Sequence, residues 1–186
     1  KTWYSMLLNM NLMELMMRVL VLGCGAIGSV VATKLSHVVG IDLSVMARSN
    51  FHQLRDHGVT INGITEEQST MLPAQFTALE SNATGAGPFD IVYLCTQTAD
   101  NKTLVKLLPT LLKPEGTLVT LQNGFNFEQS LPQHNIISGT AWVKAATETT
   151  DPTKNPVTVT HHFGYDLMLG QFVMGKEKTE LTAEAS

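Results

Sequence analysis

Gly23-Cys24-Gly25-Ala26-Ile27-Gly28 stands directly behind the apolar run Arg18-Val19-Leu20-Val21-Leu22 and opens a stretch, 26–38, in which Ile27, Val30, Val31 and Leu35 recur at helical spacing. No other feature of the chain restricts its fold as strongly. The apolar run reads as a parallel strand buried on both faces. A G-x-G-x-x-G gains meaning from such a context, a strand before and a helix after, more than from its letters. Gly23 permits the tight turn, Gly25 lets main chain approach a pyrophosphate, and Gly28 lets the helix pack close to the strand. The free N–H groups and positive dipole end of the helix then make this turn an anion site. The bland alternative is a glycine-rich turn with no ligand, and the flanking pattern weighs against it.

Strands and helices alternate along the rest of the chain. Gly40 ends the first helix, and 43–47 reads as a second strand stopping at Arg48. Asn50 is placed to cap a short helix over 51–57, which Gly58 closes. Strands are expected at 59–64, with a turn at Asn62-Gly63, and at 71–77. A loop rich in glycine and proline covers 81–88. A strand over 89–95 precedes a helix over 101–112, which Pro114 and Gly116 are expected to terminate. A strand follows at 117–121, then a short helix near 127–131, and strands at 136–143, 157–160 and 166–169. This alternation implies βαβ units, hence an α/β fold with a doubly wound, mostly parallel sheet of Rossmann type.

The boundaries are read as 1–17 for a leader or extension, 18–172 for the dinucleotide domain, and 173–186 for a linker or the start of a further domain. The opening stretch is methionine-rich, but Asn9, Asn11 and Glu14 interrupt it, so it suits neither a membrane span nor a signal peptide. A docked amphipathic helix is the other reading of it. The 186 residues carry a net charge of −4 without a basic run, which speaks against nucleic acid as a partner. Two cysteines, Cys24 and Cys95, are too few for a disulfide framework and suit a reducing, cytoplasmic compartment. No metal site is expected.

The residue after the second strand selects the dinucleotide. An NAD-binding chain usually carries Asp or Glu about 20 residues beyond the loop, to accept from the ribose hydroxyl. This chain has Arg48 there. A guanidinium cannot accept a hydrogen bond, but it pairs with a 2′-phosphate, so NADP(H) is expected over NAD(H). Asp42 is the rival acidic ligand, on the wrong edge of the sheet. A solvated surface arginine is the alternative reading of Arg48.

Later strand ends face the other half of the crevice, and two carry signals: Leu94-Cys95-Thr96-Gln97-Thr98 and Leu121-Gln122-Asn123-Gly124. The second, through Gln122-Asn123-Gly124, taken with the glycine loop, with Ala47-Arg48, with Pro88-Phe89-Asp90 and with Ser138-Gly139-Thr140 and the closing Leu169-Gly170, makes the chain resemble the N-terminal domain of the ketopantoate reductase family. The likeness covers roughly 18–170. It implies NADPH-dependent reduction of 2-dehydropantoate to pantoate, in pantothenate and coenzyme A synthesis, with a small 2-keto acid as substrate. It also implies cofactor contacts from Gly23, Cys24, Gly25, Ala26, Ile27, Gly28, Arg48, Gln97, Asn123 and, through its backbone, Ala145. Asn123 would hydrogen-bond near the nicotinamide and the substrate. A homodimer stays open.

Two departures accompany the resemblance. The family usually has a lysine where this chain has Gln97, an amide that donates but brings no charge. The family's proton-donating lysine and substrate-binding carboxylate belong to a helical C-terminal domain, expected to be absent from this chain. None of Lys144, Lys154, Lys176 or Lys178 matches that lysine, so no catalytic residue is assigned within the chain. NADP(H) binding with slow or no turnover by the chain alone is the expectation, because ketone reduction needs an acid near the developing alkoxide. The alternatives are another NADP-dependent 2-keto acid or opine-type dehydrogenase, and a non-catalytic NADP(H)-binding sensor. Cys24 and Cys95 could form a redox pair, though two buried free thiols fit better. His161 and His162 read as a surface pair, since neighbours on a strand face opposite sides.

Overall fold

The computed structural model describes residues 16–63, 68–83, 85–124, 127–131, 135–148 and 151–172. Residues 1–15 of the expected extension and all of 173–186 lie outside them. Among the described residues no helix is long and apolar enough to cross a membrane.

Among the described residues nine strands form one sheet: β1 (Met17–Leu22), β2 (Ile41–Ala47), β3 (Val59–Gly63), β4 (Ser69–Met71), β5 (Thr77–Glu80), β6 (Phe89–Leu94), β7 (Leu112–Thr120), β8 (Ile136–Thr147) and β9 (Val157–Phe172). Their order is β4-β3-β9-β8-β7-β6-β1-β2-β5. From β5 through β2, β1, β6 and β7 to β8, every neighbouring pair is parallel. This is the doubly wound order, and the strand order reverses between β1 and β6.

Among the described residues the α-helices are α1 (Ala26–Leu35), α2 (Phe51–His57) and α3 (Asn101–Leu111). Alternation along β1 explains why helices cover both faces. Val19 and Val21 enter one apolar cluster with Val30 and Val31 of α1 and Leu54 of α2. Leu20 and Leu22 enter the other with Leu104, Leu108 and Leu111 of α3. Each such side chain, fully buried, contributes about 1.5–3 kcal/mol of transfer free energy. The first cluster also includes Val59, Ile61, Met71, Val157 and Val159, so β3, β4 and the start of β9 close over α1.

Several boundaries differ from the sequence reading. The first helix ends at Leu35 rather than 38, and Val38 and Val39 are exposed in the turn to Gly40. The strand expected over 71–77 is two strands, β4 and β5, separated by a 3-10 turn at Pro73–Gln75, where the proline favours a turn. Pro114 and Gly116 do not end α3; they lie inside β7, and Leu112 is the helix's C-cap. The β6–β7 ladder shifts register between Phe89↔Leu112 and Ile91↔Thr117, and that irregularity takes up a proline without an N–H. The three closing strands are two: β8 and β9 form one long antiparallel hairpin.

Candidate dinucleotide site

Ladder hydrogen bonds run past the strand ends and hold the crevice rim level. Gly23 N donates to Met46 O (3.0 Å), Cys95 N to Leu22 O (2.9 Å) and Leu121 N to Leu94 O (2.9 Å). The glycine loop, Arg48, Gln97 and Asn123 therefore sit beyond the carboxyl ends of four adjacent strands, at the reversal of strand order.

The glycines of the loop serve different geometric needs. Gly23 has φ +101°, and a Cβ there would stand 2.8 Å from Thr96 Cγ2 and 3.0 Å from Thr96 N. A Cβ on Gly28 would fall 1.8 Å from Gly23 O, so only hydrogen lets the helix meet the loop. Among the described residues a Cβ on Gly25 would meet nothing within 4 Å: the loop is open to them on that side. Gly25 is the N-cap of α1, no side chain caps it, and the first-turn N–H groups precede the Ser29 N to Gly25 O bond (2.8 Å). An open approach to uncapped, positively polarised N–H groups fits a pyrophosphate. Cys24 is buried and its Sγ lies 3.3 Å from Ser29 Oγ, so its side chain belongs to the core beneath the loop. Ala26 and Ile27 pack partly against the same core.

Arg48 follows β2 with its side chain 79 % exposed, and Nη1 lies 3.8 Å from Asp100 Oδ1. Asp42 stands at the entrance of β2, where Arg18 Nε pairs with it at 3.6 Å, on the opposite edge from the loop. Asn50 occupies the N-cap position of α2 but makes no side-chain cap there. Its Nδ2 instead donates to Cys24 O at 2.7 Å. The expected cap is thus corrected: the amide is engaged across the fold.

Gln97 is exposed just beyond β6, and its carbonyl accepts from Asp100 N. Asn123 is exposed beyond β7, before Gly124 at φ +127°. Gln122, the residue before Asn123 in the motif, joins the two turns. Its Nε2 donates to Thr96 O (3.0 Å), Thr96 Oγ1 (3.0 Å) and Asn101 Oδ1 (2.9 Å). Gln122 Oε1 and Asn101 Nδ2 are buried without a hydrogen-bond partner among the described residues. Glu128, buried, accepts from Ser138 Oγ at 2.5 Å and ties the turn after Asn123 to β8. A bond joining residues far apart in the chain has no local signature, so these partners could be read only from the three-dimensional arrangement.

Ala145 lies on β8, opposite His161 of β9, well past the point where β8 leaves β7, and packs partly against the α1-side core. Lys144 beside it is exposed. Lys154 pairs with Asp151 in the β8–β9 turn, and Lys176 and Lys178 lie outside the described residues. His161 is 2 % exposed, which corrects the surface reading of that residue; its neighbour His162 is half-buried. Among the described residues no group of three or more His, Cys, Asp or Glu could hold a metal ion.

Cys24 and Cys95 are free thiols. Burial pushes Cys24 up to about 11 against a weaker opposing pull from Ser29, and burial together with the neighbouring Cys24 pushes Cys95 up to about 12. Both stay protonated at neutral pH, which removes the nucleophilic form a redox pair would need.

Pro88-Phe89-Asp90 anchors the opposite, amino-terminal edge of the sheet. Arg18 donates to Pro88 O (2.7 Å) and Ala86 O (2.9 Å), and its guanidinium lies over the Phe89 ring at 4.9 Å. Asp90 accepts from Arg18 N (2.9 Å) and Lys113 Nζ (2.6 Å). The Lys113 bond, despite some opposing desolvation, holds its carboxyl below the usual 3.8.

Strand order, rim and glycine loop define the class: a Rossmann-type, dinucleotide-binding α/β domain. A profile of the family described as ketopantoate reductase PanE/ApbA matches residues 19–173, and the chain belongs to that family. It is 28 % identical over 167 residues to a 2-dehydropantoate 2-reductase of Nostoc sp. (strain PCC 7120 / SAG 25.82 / UTEX 2576), matching 87 % of this chain and 49 % of that protein. Among solved structures it resembles 2-dehydropantoate 2-reductase from Methylococcus capsulatus, with a TM-score of 0.65 and 25 % identity over 84 % of this chain and 49 % of that one. The fold also matches D-mandelate dehydrogenase, solved with NADH and anilino(oxo)acetate, at a TM-score of 0.66 and 22 % identity, covering 87 % of this chain and 50 % of that one. The chain spans about half the length of these relatives.

Proposed function

We propose that this chain is the cofactor-binding half of an NADP(H)-dependent reductase of a 2-keto acid, with 2-dehydropantoate as substrate and pantoate as product. The observation that carries the cofactor choice is Arg48, an exposed guanidinium at the end of β2, on the rim that bears the open glycine loop. N–H groups of the loop and the first turn of α1 hold the pyrophosphate, and Arg48 pairs with the 2′-phosphate. Gln97 and Asn123 present amide donors toward the nicotinamide end, with the Gln122 bonds fixing the turns that carry them. Ala145 contributes backbone at the far wall. The chemistry the cofactor supplies when bound is a hydride for the ketone carbon. The acid that protonates the alkoxide is not assigned to any residue of this chain; Lys144, exposed on β8, is the weak substitute.

A second reading keeps the fold and changes the chemistry: a reductase of another 2-keto acid that uses NADH, the dinucleotide with which the D-mandelate dehydrogenase structure was solved. Purified protein supplied with NADPH or with NADH, and with a panel of 2-keto acids, separates the readings. Consumption of NADPH fastest with 2-dehydropantoate supports the proposal. Preference for a different acid, or for NADH, supports the second reading. Tight NADPH binding without consumption, in the gene product at full length, supports a non-catalytic sensor.

A further inference from the structure

Asn50 stands where a helix cap belongs, yet its side chain makes no cap to α2. Its Nδ2 reaches back 26 residues to the carbonyl of Cys24 at 2.7 Å. Cys24 is the middle residue of Gly23-Cys24-Gly25, so the peptide that Asn50 grips is the one leading into the open side of the loop. A flip of that peptide changes ψ of Cys24 and φ of Gly25, and a glycine on its N–H side accepts φ of either sign, so the backbone itself opposes the flip only weakly. Around a planar trans peptide, carbonyl and N–H point in opposite directions, so a hold on Cys24 O also fixes the direction of Gly25 N–H. With Cys24 O turned toward Asn50, Gly25 N–H is directed away from it. A flipped peptide would exchange the two and present a carbonyl oxygen, which repels an anion, where a donor now stands.

We infer that Asn50 is a positioning residue for the phosphate loop: its amide holds the Cys24–Gly25 peptide in the orientation that receives the dinucleotide pyrophosphate. This rests on the reading that the crevice takes a dinucleotide. The loop serves the pyrophosphate that NADPH and NADH share, whereas Arg48 serves the phosphate only NADPH has. Loss of the Asn50 amide therefore weakens both ligands alike and leaves their ratio unchanged; loss of Arg48 changes the ratio.

Calorimetric titration of the whole chain with NADPH and with NADH, for the parent, Asn50→Ala, Asn50→Asp and Arg48→Ala, tests this. Asn50→Ala should raise both dissociation constants by about tenfold, the equivalent of about 1.4 kcal/mol. Asn50→Asp, which faces Cys24 O with a carboxylate, should weaken binding further. Thermal melting of the unliganded variants identifies a merely structural role, which would lower the melting temperature while leaving affinity in the folded protein unchanged. That result, or affinities within about twofold of the parent in Asn50→Ala, overturns the inference while the dinucleotide reading stands. A parent chain that binds neither ligand removes both.

Discussion

Arg48 Nη1 and Asp100 Oδ1 stand 3.8 Å apart, so residues following β2 and β6 meet across the end of β1, above the start of the glycine loop. Both side chains are substantially exposed, and such a pair contributes only about 0–1 kcal/mol. It is a weak internal partner that an anion with more donors around it can displace.

Replacing Arg48 should therefore act on cofactor choice. Arg48→Ala should cost NADPH about 1.5–3 kcal/mol, the range for hydrogen bonds to charged groups, and leave NADH nearly unchanged. Asp100→Asn should work in the opposite direction, freeing the guanidinium and tightening NADPH by about two- to fivefold. Dissociation constants for both dinucleotides in each variant provide the check; equal losses for NADPH and NADH in Arg48→Ala would remove Arg48 from the site.

Gly25 and Gly28 should fail differently when given a methyl group. Gly25 has φ −80° and open space around it, so Gly25→Ala should fold with nearly the parent's melting temperature while losing at least about tenfold in NADPH affinity. Gly28→Ala forces a Cβ onto Gly23 O and should also lower stability, by about 1–3 kcal/mol. Melting curves beside binding isotherms separate the two outcomes.

Asp90 should be a stability residue with no part in binding. Asp90→Ala removes the partner of Lys113 and of Arg18 N, at a cost of about 1–3 kcal/mol in urea unfolding, with NADPH affinity unaltered in the folded protein. Because the folded carboxyl lies below its ordinary 3.8, its contribution is complete above that range and lost as pH falls through the lowered value. The stability gap between parent and variant should accordingly shrink in acid.

The two cysteines give the opposite sign. Their folded values lie at about 11 and about 12 against an ordinary 9.0, so the neutral thiols favour the fold below 9.0 and that contribution is lost as pH rises toward the folded values. Urea midpoints should fall between about pH 8 and about pH 11, and less so in Cys24→Ala. At neutral pH a thiol reagent should label the native chain far more slowly than the unfolded one.

The parts of this fold that local physics fixes were legible in the sequence. A turn needing positive φ and close packing admits little besides glycine at positions 23 and 28, and alternation along Val19-Leu20-Val21-Leu22 announces a strand buried on both faces. Pro114 and Gly116 misled because they break a helix as readily as they mark an irregular strand, and only the β6 partner decides between them. The β8–β9 hairpin read as fragments because His161-His162-Phe163-Gly164 lacks a strand's apolar pattern, although the ladder runs on through it with shifts of register. Asn50 and Gln122 were visible as letters but not as connections. Each acts on a residue 26 positions away, a distance that no spacing rule reaches.

Titrating the intact chain with NADPH and NADH by calorimetry meets the central claim most directly. Saturable heat with NADPH, at an affinity about tenfold or more above that for NADH, is the predicted result. No heat with NADPH, or tighter binding of NADH, would contradict it.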